Sequence, residues 1–403
     1  MCATVRDARA PGVTQGVLLL LPCTLAVMGI VVLLPVLPAL MAHYHAVPGH
    51  QYLIQGGVLT MPALCIALFS PLAGWVADRV GRRRLLLSSM VLYAFVGVAP
   101  TVLDTLPAII ASRVGVGLCE AVIMTVSTTM ISDYFTGHSR EKWLAAQTAV
   151  ASVSALGLIA LGGFLGEALG WRGPFWVYGC SLPLAIAIAA FTWEPSASQT
   201  NKAPKHRSSA DQADTSFPWR RITCIGVITL YASILFYTNQ TQTSLALSAE
   251  GVSDPARLGT YVAVATLGVP IGTLVFQRLS TLNVSILLFI EFLTIGIGFI
   301  CMGNAHIPEV YVSAAFLNQL GCGMILPTLL TWATRGLAYH IRGRGTGIWQ
   351  SLFAIGQFLS GVVVTLLAES AGGLLSAFGI LGISSIIVSG LSAMSIRLQP
   401  NET

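Results

Sequence analysis

"GWVADRVGRRR", residues 74–84, packs five charges into seven positions of a 403-residue chain in which only 9% of residues are charged. Apolar runs, 52–77 and 84–103, flank or overlap it on both sides. A nucleic-acid patch, a processing signal and a mechanical latch all call for basic residues, so the surroundings must choose. Hydrophobic residues make up 55% of the chain and its mean hydropathy is +0.78, far above the range of soluble proteins. The arginines therefore sit in a membrane protein, in a short loop between two spans.

Crossing about 30 Å of hydrocarbon takes roughly 20 apolar residues in helical form. Such runs occur at 16–41, 52–77, 84–103, 107–135, 143–169, 174–193, 222–247, 258–279, 283–303, 309–335, 344–368 and 373–396. The first is too long for a signal-peptide core and carries no convincing cleavage site, so it counts as a span. The fold class expected is an all-α membrane protein of 12 transmembrane helices.

Sidedness follows from Lys and Arg. With the N-terminus in the cytoplasm, the inner side holds Arg6, Arg9, Arg79, Arg82, Arg83, Arg84, Arg140, Lys142, Lys202, Lys205, Arg207, Arg220, Arg221, Arg278, Arg335, Arg342, Arg344 and Arg397. Only Arg172 and Arg257 fall outside, and Arg113 lies within a span. A miscounted helix would scramble that bias from the error onward. The expected placement is the inner (cytoplasmic) membrane, multi-pass, with both termini cytoplasmic. The net charge of +5 thus reads as a topology signal, and no nucleic-acid partner is expected. Six cysteines (Cys23, Cys65, Cys119, Cys180, Cys301 and Cys322) lie inside spans without metal-ligand spacing. No metal and no cofactor are expected.

Residues 194–220, "EPSASQTNKAPKHRSSADQADTSFPWR", are the only long polar stretch and read as a cytoplasmic connector. It would divide a six-helix bundle at 1–193 from a second at 221–403. Duplication shows faintly: "RVGVG" at 113–117 in the fourth span matches "QLGCG" at 319–323 in the tenth, and a basic loop follows each. Paired six-helix repeats are an established transporter architecture.

With those residues in view, the chain resembles the major facilitator superfamily. Gly74, Asp78, Arg79, Gly81, Arg82 and Arg83 match the signature loop after its second helix. Arg113 and Gly117 resemble the family's motif in the fourth helix, which ends "ISDYF" with Asp133 at the acidic position. "GWRGPFWVYG" at 170–179 looks like the start of its sixth helix. The resemblance implies two pseudo-symmetric six-helix bundles and transport by alternating access, with the drug:proton antiporter branch the nearest likeness. It also implies that Asp78 faces the start of the eleventh helix near Arg344, as an inner latch closed when the protein opens outward. Two departures bear on direction. The first helix has no acid, and Leu158-Ile159 stand where exporters often carry Gly-Pro.

Residue chemistry supports the latch independently. Gly74 lets a neighbouring helix approach, Gly81 permits a tight turn, and Asp78 suits the positive end of a helix. The arginines can pair with Asp133 or meet lipid headgroups. In the second half, "FQRLSTLN" follows Gly272 and carries no acid.

Arg113, Glu120 and Glu291 are the charges deep in spans, where unpaired charge is expensive and function is the default suspicion. Arg113, Gly117 and Glu120 share one helix face, which should line a central cavity or the bundle interior. Burial favours the neutral form of Glu120 and a nearby arginine the charged form, so Glu120 with Arg113 is the expected proton-coupling pair. Glu291 reads as structural. Candidate solute contacts are Tyr237, Asn239 and Gln240 within "FYTNQTQTS" (236–244), which could mark an unwound gating segment, then Asn318, Gln319, Trp349, Gln350 and Gln357. Such a lining suits neutral or amphipathic organic molecules, and Arg113 could attract an anion.

The function these residues favour is a proton-coupled, monomeric secondary transporter of a small organic solute, with membrane lipid and protons as its other partners and efflux, multidrug in type, the preferred direction. Uptake of an organic acid by proton symport is the alternative in the same class. A non-transporting receptor on the same fold is the alternative from another class. No nucleophile–His–acid set favours an enzyme, and His43, His45 and His50 fall in one loop.

Overall fold

In a computed structural model, residues 11–194, 218–334 and 339–398 are described. They form twelve membrane-length spans and, among the described residues, no strand. The first six are α1 (Val13–His43), α2 (His50–Val80), α3 (Arg82–Thr101), α4 (Leu106–Tyr134), α5 (Gly137–Leu169) and α6 (Gly173–Phe191). The second six are α7 (Trp219–Ala249), α8 (Pro255–Leu279), α9 (Val284–Gly303), α10 (Pro308–Ala333), α11 (Gly345–Ala371) and α12 (Leu374–Met394). Most of the polar stretch at 194–220 lies outside the described residues, as do Arg6, Arg9, Arg335 and the side chains of Arg342, Arg344 and Arg397.

Two apolar cores hold the helices together. One gathers Leu19, Val58, Ile123, Ile159 and Phe175 from the first six spans; the other gathers Leu235, Phe292, Leu329, Val364 and Phe378 from the second six. The RVGVG and QLGCG stretches explain the pseudo-symmetry. A Cβ on Gly117 would lie 2.6 Å from Pro62 Cα in α2, and one on Gly323 would strike the Val269 backbone in α8. The neighbouring pair behaves alike: Gly115 faces Val96 of α3, and Gly321 faces the Glu291 and Ile295 backbone of α9. Small residues at matched depth thus let the fourth helix of each bundle approach the second and third closely, which lipid-embedded packing requires.

Of the irregular spans, α1 and α2 bear on the site, and proline explains part of each. α1 runs helically from Pro22 to Val31, tightens into a 3-10 turn at Leu34–Val36, and resumes at Leu37–His43. Pro35 and Pro38 cannot donate to the carbonyls one turn back. α2 begins with a π-helical turn, Leu53–Thr60, before Met61–Val80, whose second residue is Pro62. By contrast α7 is one continuous helix through its polar segment, correcting the unwound stretch expected at 236–244. Asn239 and Gln242 bond to other helices, and Thr241 and Thr243 donate to carbonyls one turn back on α7 itself, all of which a continuous helix permits.

The bundles meet at the end distal to the chain termini. A Cβ on Gly163 of α5 would lie 2.7 Å from Pro255 O and 3.1 Å from Gly259 Cα of α8. Thr60 donates to Phe358 O of α11 at 3.2 Å, and the Tyr52 hydroxyl to Glu369 at 2.6 Å. At the terminal end Asp78 is 67% exposed and pairs with Arg82 of the adjoining helix at 3.2 Å. The seam is closed distally, and the partner of Asp78 among the described residues is Arg82.

Candidate functional site

The stripe on α4 faces the interior of the first bundle. Arg113 is fully buried and all three of its nitrogens are used. Nε donates to Val58 O of α2 at 2.9 Å, Nη1 to the Tyr178 hydroxyl of α6 at 2.7 Å, and Nη2 to Gly29 O of α1. Those carbonyls are the ones the helices leave over. The α-helical donor for Val58 O would be the amide of residue 62, which is proline. The donor for Gly29 O would be Leu33 N, which bonds Ile30 O instead at 3.3 Å. Arg113 therefore bolts together the irregular stretches of α1 and α2, and its fork of donors matches three separate acceptors. Three of the five guanidinium N–H donors are thus taken by protein acceptors inside the bundle.

Glu120, two turns along the same face, is 1% exposed. Its Oε1 sits 3.4 Å from the Tyr93 hydroxyl of α3 and presses on Gly29, where a Cβ would collide with it. Arg113 and Glu120 form no direct ion pair; they converge on opposite sides of the Gly29 backbone. Tyr93 also reaches Leu25 O of α1 at 2.5 Å. A phenol has one proton, so it bonds either Leu25 O or the carboxylate. When Glu120 carries a proton, it can donate to the Tyr93 oxygen while Tyr93 keeps its bond to α1. When Glu120 is ionised, it competes for the Tyr93 proton and loosens that bond.

At the terminal end, Arg82 joins Asp133 of α4 as well as Asp78. Arg79 lies over the Trp75 ring, 3.7 Å from its centroid. Gly81 has φ +99°, the left-handed region that favours glycine, and starts the turn into α3. Gly74 packs near Thr125 of α4. Glu194 was not foreseen: its two oxygens accept from Arg82 N at 2.6 Å and Arg83 N at 3.1 Å. It thereby caps the unsatisfied first amides of α3 with negative charge.

The expected solute contacts divide. Asn239 donates to Ala315 O at 3.1 Å and to Asn318 Oδ1 at 2.7 Å, and Asn318 donates to Ile295 O at 3.0 Å. These two stitch α7, α9 and α10 inside the second bundle. Gln319 is also buried, with neither amide atom bonded, and Gln240 is 7% exposed. Tyr237 instead packs against both cores. Its ring lies 5.6 Å from Phe353, which stacks on Trp349 at 5.5 Å and 16°. Gln350 is exposed and Gln357 half-buried on α11. Glu291 accepts from Thr328 of α10 at 2.5 Å through Oε1, while its Oε2 is buried without a partner. Sequence reasoning missed Tyr93 and Tyr178, whose only signal was a phenol within a span near an interior acid or arginine. Among the described residues no His/Cys/Asp/Glu group fits a metal ion.

Two matched six-helix bundles in a membrane, joined along a seam that is shut at one end, are the build of a solute carrier. The chain belongs to the Major Facilitator Superfamily, whose sequence pattern matches residues 19–338, and its twelve membrane-length helices make it multi-pass. It is 32% identical over 147 residues to MdtD, a proposed multidrug resistance protein of Serratia proteamaculans, covering 36% of this chain and 30% of that one. Against MdtD of Yersinia pseudotuberculosis it is 27% identical over 216 residues, 53% of this chain and 43% of the relative. The chain thus matches less than half the length of these curated relatives. Among solved structures it resembles a bacterial homolog of the human lysosomal transporter Spinster, inward-facing and occupied, with a TM-score of 0.77 at 15% identity over 95% of this chain and 96% of that one. A D-xylose–proton symporter aligns with a TM-score of 0.73 at 14% identity, covering 94% and 97%. These two likenesses concern the fold.

Proposed function

We propose that the protein is a proton-coupled exporter of small organic solutes, working by alternating access in the inner membrane with both termini cytoplasmic. The observation that carries this reading is Glu120: a carboxyl sealed inside the first bundle, beside a tyrosine that must choose between it and α1. Proton loss transfers the Tyr93 bond from α1 to Glu120, proton gain restores it, and α1 moves relative to α4 as a result. Arg113 serves as the positioning residue that keeps Gly29 against Glu120. The family membership supports solute transport, and the names of the MdtD relatives favour export of drug-like molecules.

In this reading the present conformation is inward-facing, with the distal seam closed and Asp78 paired with Arg82. Asp78, Arg82 and Asp133 with Gly74, Arg79 and Gly81 form the inner latch, remade against α11 when the protein opens outward. The aromatic row Tyr237, Phe353 and Trp349, with Gln350 and Gln357, forms the solute-facing wall, because Tyr237 packs against both apolar cores and the row runs from it along α11. The lining is amide and aromatic, which suits neutral or amphipathic solutes.

The test is Glu120→Gln in proteoliposomes. A glutamine keeps the shape but holds no exchangeable charge, so uphill transport driven by a pH gradient should fall to background while solute counterflow persists. Full uphill transport by the variant would end the assignment.

A further inference from the structure

The seam carries a polar contact that the Glu120 network does not use. Gln55 of α2 and Gln242 of α7 face each other across it, 4% and 1% exposed. Gln242 Nε2 donates to Gln55 Oε1 at 2.5 Å, and Gln55 Nε2 returns a bond to Gln242 Oε1 at 3.4 Å. α11 shuts the pair in: a Cβ on Gly361 would lie 2.9 Å from Gln55 Cβ. Thr60, also fully buried, crosses the same seam to Phe358 O.

Gln55 and Thr60 both belong to the π-helical turn Leu53–Thr60, while Tyr52, which crosses to Glu369, directly precedes it. A π turn holds one more residue than an α turn and concentrates at functional sites. Relaxing it to α geometry rotates the helix on one side by about 100°, the angle per residue of an α-helix. Such a rotation carries Gln55 off the seam. The turn is also gripped from behind, since Val58 within it takes the Nε bond of Arg113. A path of contacts therefore runs from the interior of the first bundle to the contact between bundles.

A buried amide is satisfied by another amide when the seam is shut and by water when it opens; it is unsatisfied only when its partner is missing. The reciprocal pair therefore favours closure without trapping it, unlike an ion pair. We propose that Gln55 and Gln242 form the clasp of the distal gate, and that the π-helical turn of α2 is the element that yields when the gate opens. This rests on alternating access as read above, though not on the identity of the proton site or the direction of transport.

The test measures distances between spin labels at Val102 and Ile307, exposed distal positions on opposite bundles, in the full-length, cysteine-depleted protein in lipid nanodiscs without solute or gradient. Gln55→Leu or Gln242→Leu strands one amide and should move the closed-to-open ratio about ten-fold toward open. The double variant strands none, so its shift should be smaller than either single one. Gln55→Asn keeps the amide but shortens its reach, and should shift the ratio in the same direction as Gln55→Leu. Two populations in the parent with all variants unmoved, or a double shift equal to the sum of the singles, overturns the clasp while leaving alternation intact. One unchanging distance in the parent and in every variant overturns both.

Discussion

Replacing Arg113 with lysine keeps the charge and removes the geometry, so it isolates what the guanidinium does. In the parent, three nitrogens on a rigid fork reach acceptors on α1, α2 and α6. A single ammonium cannot reach Val58 O and Gly29 O together; Gly29 O keeps the Tyr178 hydroxyl at 3.3 Å, so Val58 O is the carbonyl that stands to lose its only side-chain donor. Leaving one buried acceptor unsatisfied costs about 1–3 kcal/mol, and hydrogen bonds from a charged donor sit toward the upper end. Arg113→Lys should therefore destabilise the first bundle by roughly 2–4 kcal/mol. Pro62→Ala acts on the same acceptor from within α2. It gives residue 62 an amide that can bond Val58 O within α2, so it removes part of the need for Nε. The double variant should then lose about 1 kcal/mol or more less than the two single losses added together, a coupling expected for residues sharing one acceptor. Denaturant unfolding in detergent micelles, followed by tryptophan fluorescence, measures all four forms. Strict additivity, or an Arg113→Lys variant as stable as the parent, would refute the view that arginine is there for orphaned carbonyls.

Other outcomes follow from the terminal end. Asp78→Asn removes only an exposed pair to Arg82 here, worth little in water; stability should stay within error while turnover slows several-fold, and equal turnover would remove Asp78 from the latch. Glu194→Gln weakens the cap on α3, so the amides of Arg82 and Arg83 should exchange with deuterium faster than in the parent. Unchanged exchange there would mean the cap is incidental.

The fold was legible because each of its determinants is local. Twenty-odd apolar residues make a span wherever they occur, and arginines mark one side of the membrane regardless of packing. The RVGVG and QLGCG glycines were legible for the same reason, since close approach demands the absence of a side chain at one position. The site was legible only in part. Arg113 and Glu120 stood out as charges in hydrocarbon, but their partners are backbone carbonyls at Gly29 and Val58, which carry no side-chain signature. Those carbonyls are available because of Pro62 and the turn near Leu33, a consequence of helix geometry across three elements. The polar run on α7 misled for a related reason: sequence shows how many polar groups a helix carries, but not that Asn239 finds Asn318 and that Gln242 finds Gln55. Gln55 lies near a helix end in the sequence, where nothing around it names Gln242 as its partner.

The most direct measurement places one spin-label pair across the terminal end and another across the distal end of the same transporter in lipid, and compares both distances at low and high pH. The expected result is opposition: whenever the distal distance lengthens, the terminal distance shortens, with the balance moving with pH in the parent and fixed in Glu120→Gln. Distances that lengthen and shorten together at both ends, or a balance that follows pH equally in both proteins, would contradict it.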